Sequence, residues 1–202
     1  MPPRNHVAER LRELLSDQDV APGDRLPPER ELAARLGVSR SSLREGLRRL
    51  SDLGIIESRQ GSGTYLAPVD LGDLFEVRQR LEPLAARLAA ERREPHDLLA
   101  LEEALAEMRA ARDDAAGFGE ADVRAHTVIV EASGSLPVRV LFAAIADLLR
   151  HSRTTTAANA PLRADALREM TEIVGAIRAH DGAAAEAAMR GHLAHVGATV
   201  PA

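Results

Sequence analysis

Residues 25–50 read Arg25-Leu-Pro-Pro-Glu-Arg30-Glu-Leu-Ala-Ala-Arg-Leu36-Gly-Val-Ser-Arg40-Ser-Ser-Leu-Arg44-Glu-Gly-Leu-Arg-Arg-Leu50. The segment Ala21–Pro28 holds Pro-Gly and Pro-Pro pairs, which stop a helix and mark a loop. From Glu29 onward Leu32, Ala33 and Leu36 recur at helical spacing, and Gly37 closes that short helix as a left-handed cap. Ser39 then offers its hydroxyl as an N-cap for a longer helix, Arg40 to Leu53, ended by Gly54.

Upstream, Val7-Ala-Glu-Arg-Leu11-Arg-Glu-Leu14-Leu15 carries apolar residues at helical spacing and predicts a helix. Downstream, two β-prone runs, Ile55–Arg59 and Thr64–Leu66, flank the Gly-rich Gln60-Gly-Ser-Gly63 and predict a hairpin. Three helices followed by a hairpin form the pattern of a winged helix-turn-helix over residues 1–66. Residues 67–74 read as a linker. From Phe75 to the end only helical patterns occur, over 75–93, 96–113, 119–133, 136–153, 162–179 and 183–198. The expected fold is therefore mainly α: a winged helix-turn-helix, then an all-helical bundle over residues 75–202.

Charge divides at the same place. Residues 1–66 hold 11 arginines against 10 acids, whereas the remainder holds 15 against 21. Within 30–59 there are seven arginines and four acids, a local net of +3 attached to a chain of net −5. A basic segment on an acidic body suits a reader of duplex nucleic acid built as a separate module. The four aromatics, Tyr65, Phe75, Phe118 and Phe142, are too few for platforms that stack single-stranded bases. The absence of cysteine excludes disulfides, zinc ribbons and thiol nucleophiles. No apolar run approaches the roughly 18 residues of a membrane span, and the start lacks the apolar stretch of a secretory signal. A cytoplasmic protein with no membrane contact is expected.

On the helix from Arg40, Leu43, Leu47 and Leu50 make the buried stripe, while Arg40, Arg44 and Arg48 run along a flank with Ser41 nearby. Arginine matches guanine O6 and N7 with two hydrogen bonds. Serine hydroxyls and free N–H groups at a helix start suit phosphate oxygens. A solvated charged face gives the same pattern on an isolated helix; the preceding helix, the Gly37 turn and the hairpin together argue for the groove-binding role.

These residues also carry a resemblance. Arg25–Leu50, Gly54-Ile-Ile-Glu and Arg59-Gln-Gly-Ser-Gly63-Thr look like the amino-terminal domain of the GntR family of bacterial transcription regulators, with Gly46 where the family usually has Ala. The resemblance implies that Arg30, Arg40 and Arg44 contact a double-stranded DNA operator. It places Ser39, Ser41 and Ser42 on the phosphate backbone and Gln60 and Gly61, at the wing, in the minor groove. It also implies a homodimer on a short inverted repeat, since two-fold symmetry in the protein is mirrored in the operator.

Farther along, Glu76-Val-Arg78-Gln-Arg-Leu-Glu82-Pro, Asp122-Val-Arg-Ala-His126, Glu131-Ala-Ser-Gly134 and Ala187-Ala-Met-Arg-Gly-His192-Leu are similar to the FadR-type subgroup. That subgroup has an all-helical, FCD-like domain for effector binding and dimerisation. Many of its members hold zinc, nickel or manganese with one Asp and three His. By position these ligands are Asp122, His126 and His192, with Met170 where the remaining His belongs. A thioether is a poor ligand beside carboxylate and imidazole. Two readings stand open: a weakened divalent metal site, or a metal-free pocket for an organic effector lined by Met170. A third leaves both histidines as satisfied interior groups. Arg78, with Arg150 or Arg153, can clamp a carboxylate effector, although a structural ion pair is an equal reading for each. Arg78 and Arg150 are the effector candidates retained.

Two rival classes remain. A hydrolytic metal enzyme would need a general base and oxyanion donors around Asp122, His126 and His192, and no phosphate loop, Ser elbow or HExxH run is present. An architectural DNA binder with a vestigial sensor would differ only in ignoring small molecules.

Overall fold

A computed structural model of the chain describes residues 10–11, 20, 22–68 and 70–199. Of the helix expected over 7–15, Arg10 and Leu11 are described, both helical and Leu11 fully buried; the rest lies outside the described residues, as does His6. The chain forms two compact units that divide at Asp70.

In the first unit, α1 (Glu29–Leu36) and α2 (Arg40–Asp52) pack through Leu32, Leu36, Leu43, Leu47 and Leu50 around Leu11 and Leu26. Gly37 links them at φ 62°, in the left-handed region where a Cβ is disfavoured. That conformation lets the Gly37 N–H donate back to Ala34 O at 3.2 Å and the Val38 N–H to Ala33 O at 3.1 Å. Ser39 caps α2 as expected, its Oγ accepting from the Ser42 N–H at 3.1 Å. Ser39→Ala is expected to cost about 1 kcal/mol of stability, read as a lower midpoint in urea; an unchanged midpoint would show that water replaces the cap.

Strands β1 (Ile56–Arg59) and β2 (Gly63–Leu66) pair antiparallel, Ile56 opposite Leu66 and Arg59 opposite Gly63. The free edge of β2 is covered by the segment before α1. Leu26 N–H donates to Thr64 O and Leu66 N–H to Asp24 O, both at 2.8 Å. This anchors the wing to the helices, so the proline-rich segment is extended and hydrogen-bonded.

The second unit is all helix among its described residues: α3 (Leu71–Arg92), α4 (Pro95–Ala110), α5 (Ala115–Ala132), α6 (Leu136–Ala144), α7 (Ala146–Ala157), α8 (Ala160–Arg178) and α9 (Gly182–Gly197). The long α3 packs chiefly on α9 and also against α5; α5 lies against α4 and α7. Ala85, Ala86, Ala89 and Ala90 are fully buried along α3, and their small side chains bring its neighbours close. Two expectations are corrected. Helix α3 begins at Leu71 instead of Phe75, because Asp70 Oδ1 accepts from the Gly72 N–H at 2.7 Å and caps it. The helix expected over 136–153 is two helices, broken at Ile145, whose N–H turns back to Phe142 O at 3.2 Å. No Gly or Pro marks that break. Among the described residues no helix is long and apolar enough to cross a membrane.

Candidate functional site

Helix α2 presents two faces of opposite chemistry. Leu43, Gly46, Leu47 and Leu50 are buried, while Arg40, Ser41, Arg44 and Arg48 are exposed. Arg40 and Arg48, with Arg30 on α1, have no side-chain partner among the described residues. Arg44 donates from Nε to Glu29 Oε2 at 2.8 Å, across two exposed side chains. Such a surface pair contributes about 0–1 kcal/mol and is cheaply exchanged for a phosphate or base. The Ser39 hydroxyl is engaged as the cap and lies 2.9 Å from both Ser41 Oγ and Ser42 Oγ. Ser41 is exposed and Ser42 half-buried at the start of the helix.

At the wing tip Gln60 and Gly61 are exposed, Gly61 at φ 75°. Beneath them the Arg59 guanidinium lies 4.2 Å from the Tyr65 ring centre, and the Ser62 and Tyr65 hydroxyls are 2.6 Å apart. A stiff hairpin thus carries a small, side-chain-poor tip, the shape that enters a narrow groove.

The second unit holds a buried cluster of charges centred on Glu82 of α3. Glu82 Oε1 accepts from Arg78 Nε at 2.7 Å, and its Oε2 from Arg153 Nη2 of α7 at 2.8 Å. His126 Nδ1 of α5 faces Oε2 at 2.5 Å. Arg78 also donates to Ser152 Oγ at 3.2 Å and lies over the Phe75 ring at 4.5 Å. Asp122, one turn before His126 on α5, places Oδ2 3.5 Å from Arg153 Nε. Glu82, Arg78, His126 and Arg153 are each only 2–3% exposed. Three atoms of the cluster make no hydrogen bond: Asp122 Oδ1, His126 Nε2 and Arg153 Nε.

Burial pushes the Glu82 carboxyl up, but Arg153, Arg78 and His126 together hold it well below the usual carboxylate range. His126 is pushed down to about 4, by burial first and by Arg153 next, against the pull of Glu82 and Asp122. The imidazole is therefore neutral at pH 7. Between pH 6.5 and about 4 an unfolded chain takes up a proton on this residue that the native cluster refuses. Stability must then fall as pH falls through that window, by up to about 3 kcal/mol; the lowered Glu82 adds further loss below it. Urea midpoints at pH 7 and 4.5 should differ less in His126→Asn than in the native chain. Equal slopes would overturn the assignment.

The expected ligand residues Asp122, His126 and His192 are brought together. The rings of His126 and His192 are 5.5 Å apart between centres. Asp122 and His192 line, with Arg78 and Arg153, a space of about 20 Å³, the size that one water fills. His192 Nδ1 faces Glu169 Oε2 at 2.9 Å, and His195 Nδ1 faces the other oxygen at 2.8 Å. Met170 is fully buried on a stripe with Ile173, Val174 and Ile177. It is not among the residues that line that space or the larger cavity described next. The turn of α8 aims it into the bundle core.

A cavity of about 410 Å³ lies between α5, α6 and α7. Val123, Val130, Phe142 and Leu149 give it apolar walls, and three arginines, Arg139, Arg150 and Arg153, outnumber the one acid among the described residues of its lining, Glu131. Its size suits a small metabolite. Arg150 is exposed and paired with Glu120; Arg139 has no side-chain partner among the described residues. Arg78 is committed to Glu82 and Ser152, away from this cavity. Arg153, set aside in favour of Arg78 and Arg150, is the arginine that touches both spaces.

The residues present do not fit a resident divalent ion. Among the described residues no three His, Asp or Glu side chains are arranged to hold one, and the position of the absent imidazole is the buried Met170. The Arg153 guanidinium stands beside Asp122, where it repels a second cation.

Glu82 and Glu169 were missed as site residues. A signal existed for Glu82: it follows Arg78 by one turn on the same stripe as Phe75, Ala85 and Ala89, and charges on an apolar stripe must pair inside.

Residues 3–66 match the bacterial regulatory proteins of the gntR family, and residues 73–195 the FCD domain. A Mycobacterium tuberculosis protein described as an uncharacterized HTH-type transcriptional regulator is 35% identical over 95% of this chain and 88% of its own. The HTH-type transcriptional regulator LutR of Bacillus subtilis is 33% identical over 91% and 94%. The galactonate operon transcriptional repressor of Escherichia coli is 34% identical over 83% of each chain. Among solved structures, a GntR of Streptococcus agalactiae aligns over 98% of this chain and 100% of that one, with a TM-score of 0.54 and 31% identity. Escherichia coli McbR/YncC shares the fold at a TM-score of 0.75 over 95% and 93%, at 21% identity. These relatives are transcription regulators and not enzymes. An arginine-faced helix with a wing over residues 3–66 and an all-helical domain over residues 73–195 agree with these matches, and the chain is a member of the GntR family of transcription regulators with an FCD effector-binding domain.

Proposed function

We propose that the chain binds a short inverted-repeat operator as a homodimer and changes its hold on that DNA when a small organic carboxylate enters the helical unit. Residues 1–66 supply the reading head, residues 67–74, the last four of them the first turn of α3, the connection, and residues 75–202 the effector and dimerisation part. The observation that carries this reading is α2: its leucines are dry, and Arg40 and Arg48 stand exposed with no acid of the described chain taking their guanidinium groups. Arg44 and Arg30 flank them, Ser41 and Ser42 face the phosphates, and Gln60 and Gly61 reach the minor groove. Arg139, Arg150 and Arg153 around the 410 Å³ cavity favour an anionic ligand. Relatives named for galactonate and L-lactate dehydrogenase operons point to carboxylates too. Between the open readings for Asp122, His126 and His192, the donor arrangement favours a pocket without zinc, nickel or manganese.

The test is a footprint on the DNA upstream of the chain's own gene, repeated with galactonate and L-lactate. A symmetric protected region whose midpoint concentration shifts with one of the acids is expected. An asymmetric footprint from a monomer would overturn the dimer. Protection that no acid alters would favour the architectural binder.

A further inference from the structure

The buried cluster balances its own charge. Arg78 and Arg153 carry two positive charges and Glu82 and Asp122 two negative ones, paired as described above. A divalent ion added among side chains this deeply buried would leave two uncompensated positive charges out of water, which is strongly unfavourable. The remaining unsatisfied acceptors, Asp122 Oδ1 and His126 Nε2, lie 3.7 Å apart. With the His126 Nδ1 proton directed to Glu82, both are lone pairs that ask for hydrogen-bond donors; one water offers two and a ligand hydroxyl one. Arg153 sits at the junction: it binds Glu82, flanks Asp122, and forms part of the walls of both the 20 Å³ space and the 410 Å³ cavity.

We infer that Arg153 is the resident cation of this domain, a guanidinium doing the charge-balancing work of a divalent ion, so that the cavity meets its ligand with arginine and not with metal. This rests on the effector-domain reading of the second unit. It goes further by naming the group that excludes the ion and the one presented to the ligand. A guanidinium receives a carboxylate through a planar fork and remains charged at neutral pH. Response to the effector then needs no metal supply and is indifferent to chelators.

Elemental analysis and thermal melts test this on the full chain, with zinc, nickel and manganese chlorides as probes. The native protein and Arg153→Lys should hold well under one ion per chain after dialysis, and their melting temperatures should move by less than about 1 °C at ion concentrations that saturate ordinary sites. Met170→His alone should bind zinc at least about tenfold more weakly than Met170→His combined with Arg153→Met. In the double variant, zinc should raise the melting temperature by about 5 °C, as a saturating ligand does. One ion per native chain would overturn the inference, and so would Met170→His alone binding zinc as tightly as the double variant. If the double variant does not fold, Met170→His combined with Arg153→Gln, whose amide keeps a hydrogen bond for Glu82, takes its place: zinc held more tightly than by Met170→His alone upholds the role of Arg153, and equal affinity overturns it. None of these measurements involves DNA, so a failed footprint and a metal-loaded chain are separate outcomes.

Discussion

Glu82→Ala is expected to lower the stability of the helical unit by about 3–5 kcal/mol, the loss seen when one partner of a buried ion pair is removed. Glu82 is the hub that Arg78 meets at 2.7 Å and Arg153 at 2.8 Å, and all three side chains are 2–3% exposed. Truncation leaves two guanidinium groups in a dry interior with Asp122 as the remaining carboxylate beside Arg153, and water cannot reach them without opening the bundle. A substantial share of a small domain's margin of about 5–15 kcal/mol would go. Urea unfolding followed by helical circular dichroism checks this, and a loss under about 1 kcal/mol would mean that the cluster is hydrated. The triple replacement Arg78→Met, Glu82→Leu and Arg153→Met should be far less damaging than Glu82→Ala, because it removes the desolvated charges together. If the triple variant is as unstable as the single one, shape and not charge governs the site.

Arg40→Ala is expected to weaken operator binding by about 1–3 kcal/mol, the worth of a bidentate base contact, and to flatten discrimination at one position of each half-site. Arg40 opens α2, where the helix meets the groove, and its guanidinium has no side-chain partner among the described residues to give up. The fold should not notice the change, since the cap and the leucine stripe are untouched. Arg44→Ala serves as the comparison. Its pairing with Glu29 at 2.8 Å must be exchanged on binding, so its loss should cost less. Footprint titrations at two salt concentrations separate base reading from phosphate contact: a phosphate contact weakens all sequences alike and lowers the salt slope by about one. If Arg40→Ala binds all sequences with uniform loss, Arg40 belongs to the backbone and the base reader lies elsewhere on the helix.

How much of this could be read in advance follows the reach of each interaction. Helix α2 was legible to within a residue because its signals are local: a cap at Ser39, a stripe at Leu43, Leu47 and Leu50, a stop at Gly54. The hairpin was legible because Gly61 and Gly63 need φ values of 75° and 123°, which glycine adopts without strain. The break at Ile145 was not, since nothing in Phe-Ala-Ala-Ile-Ala-Asp differs from helix interior, and Ile145 leaves the helical region at φ −115° without a local stop signal.

The interior site divides along the same line. The chain by itself determined that Asp122 and His126 share a face, because four residues make one helical turn, and that Met170 belongs to a buried stripe. What only the tertiary structure decided is the company they keep. Glu82 lies on α3, His126 on α5, Arg153 on α7 and His192 on α9, up to 110 positions apart, the separation of Glu82 and His192. Burial turns ordinary surface residue types into a self-neutralised cluster, and desolvation depends on everything packed around them, which no spacing along a sequence records.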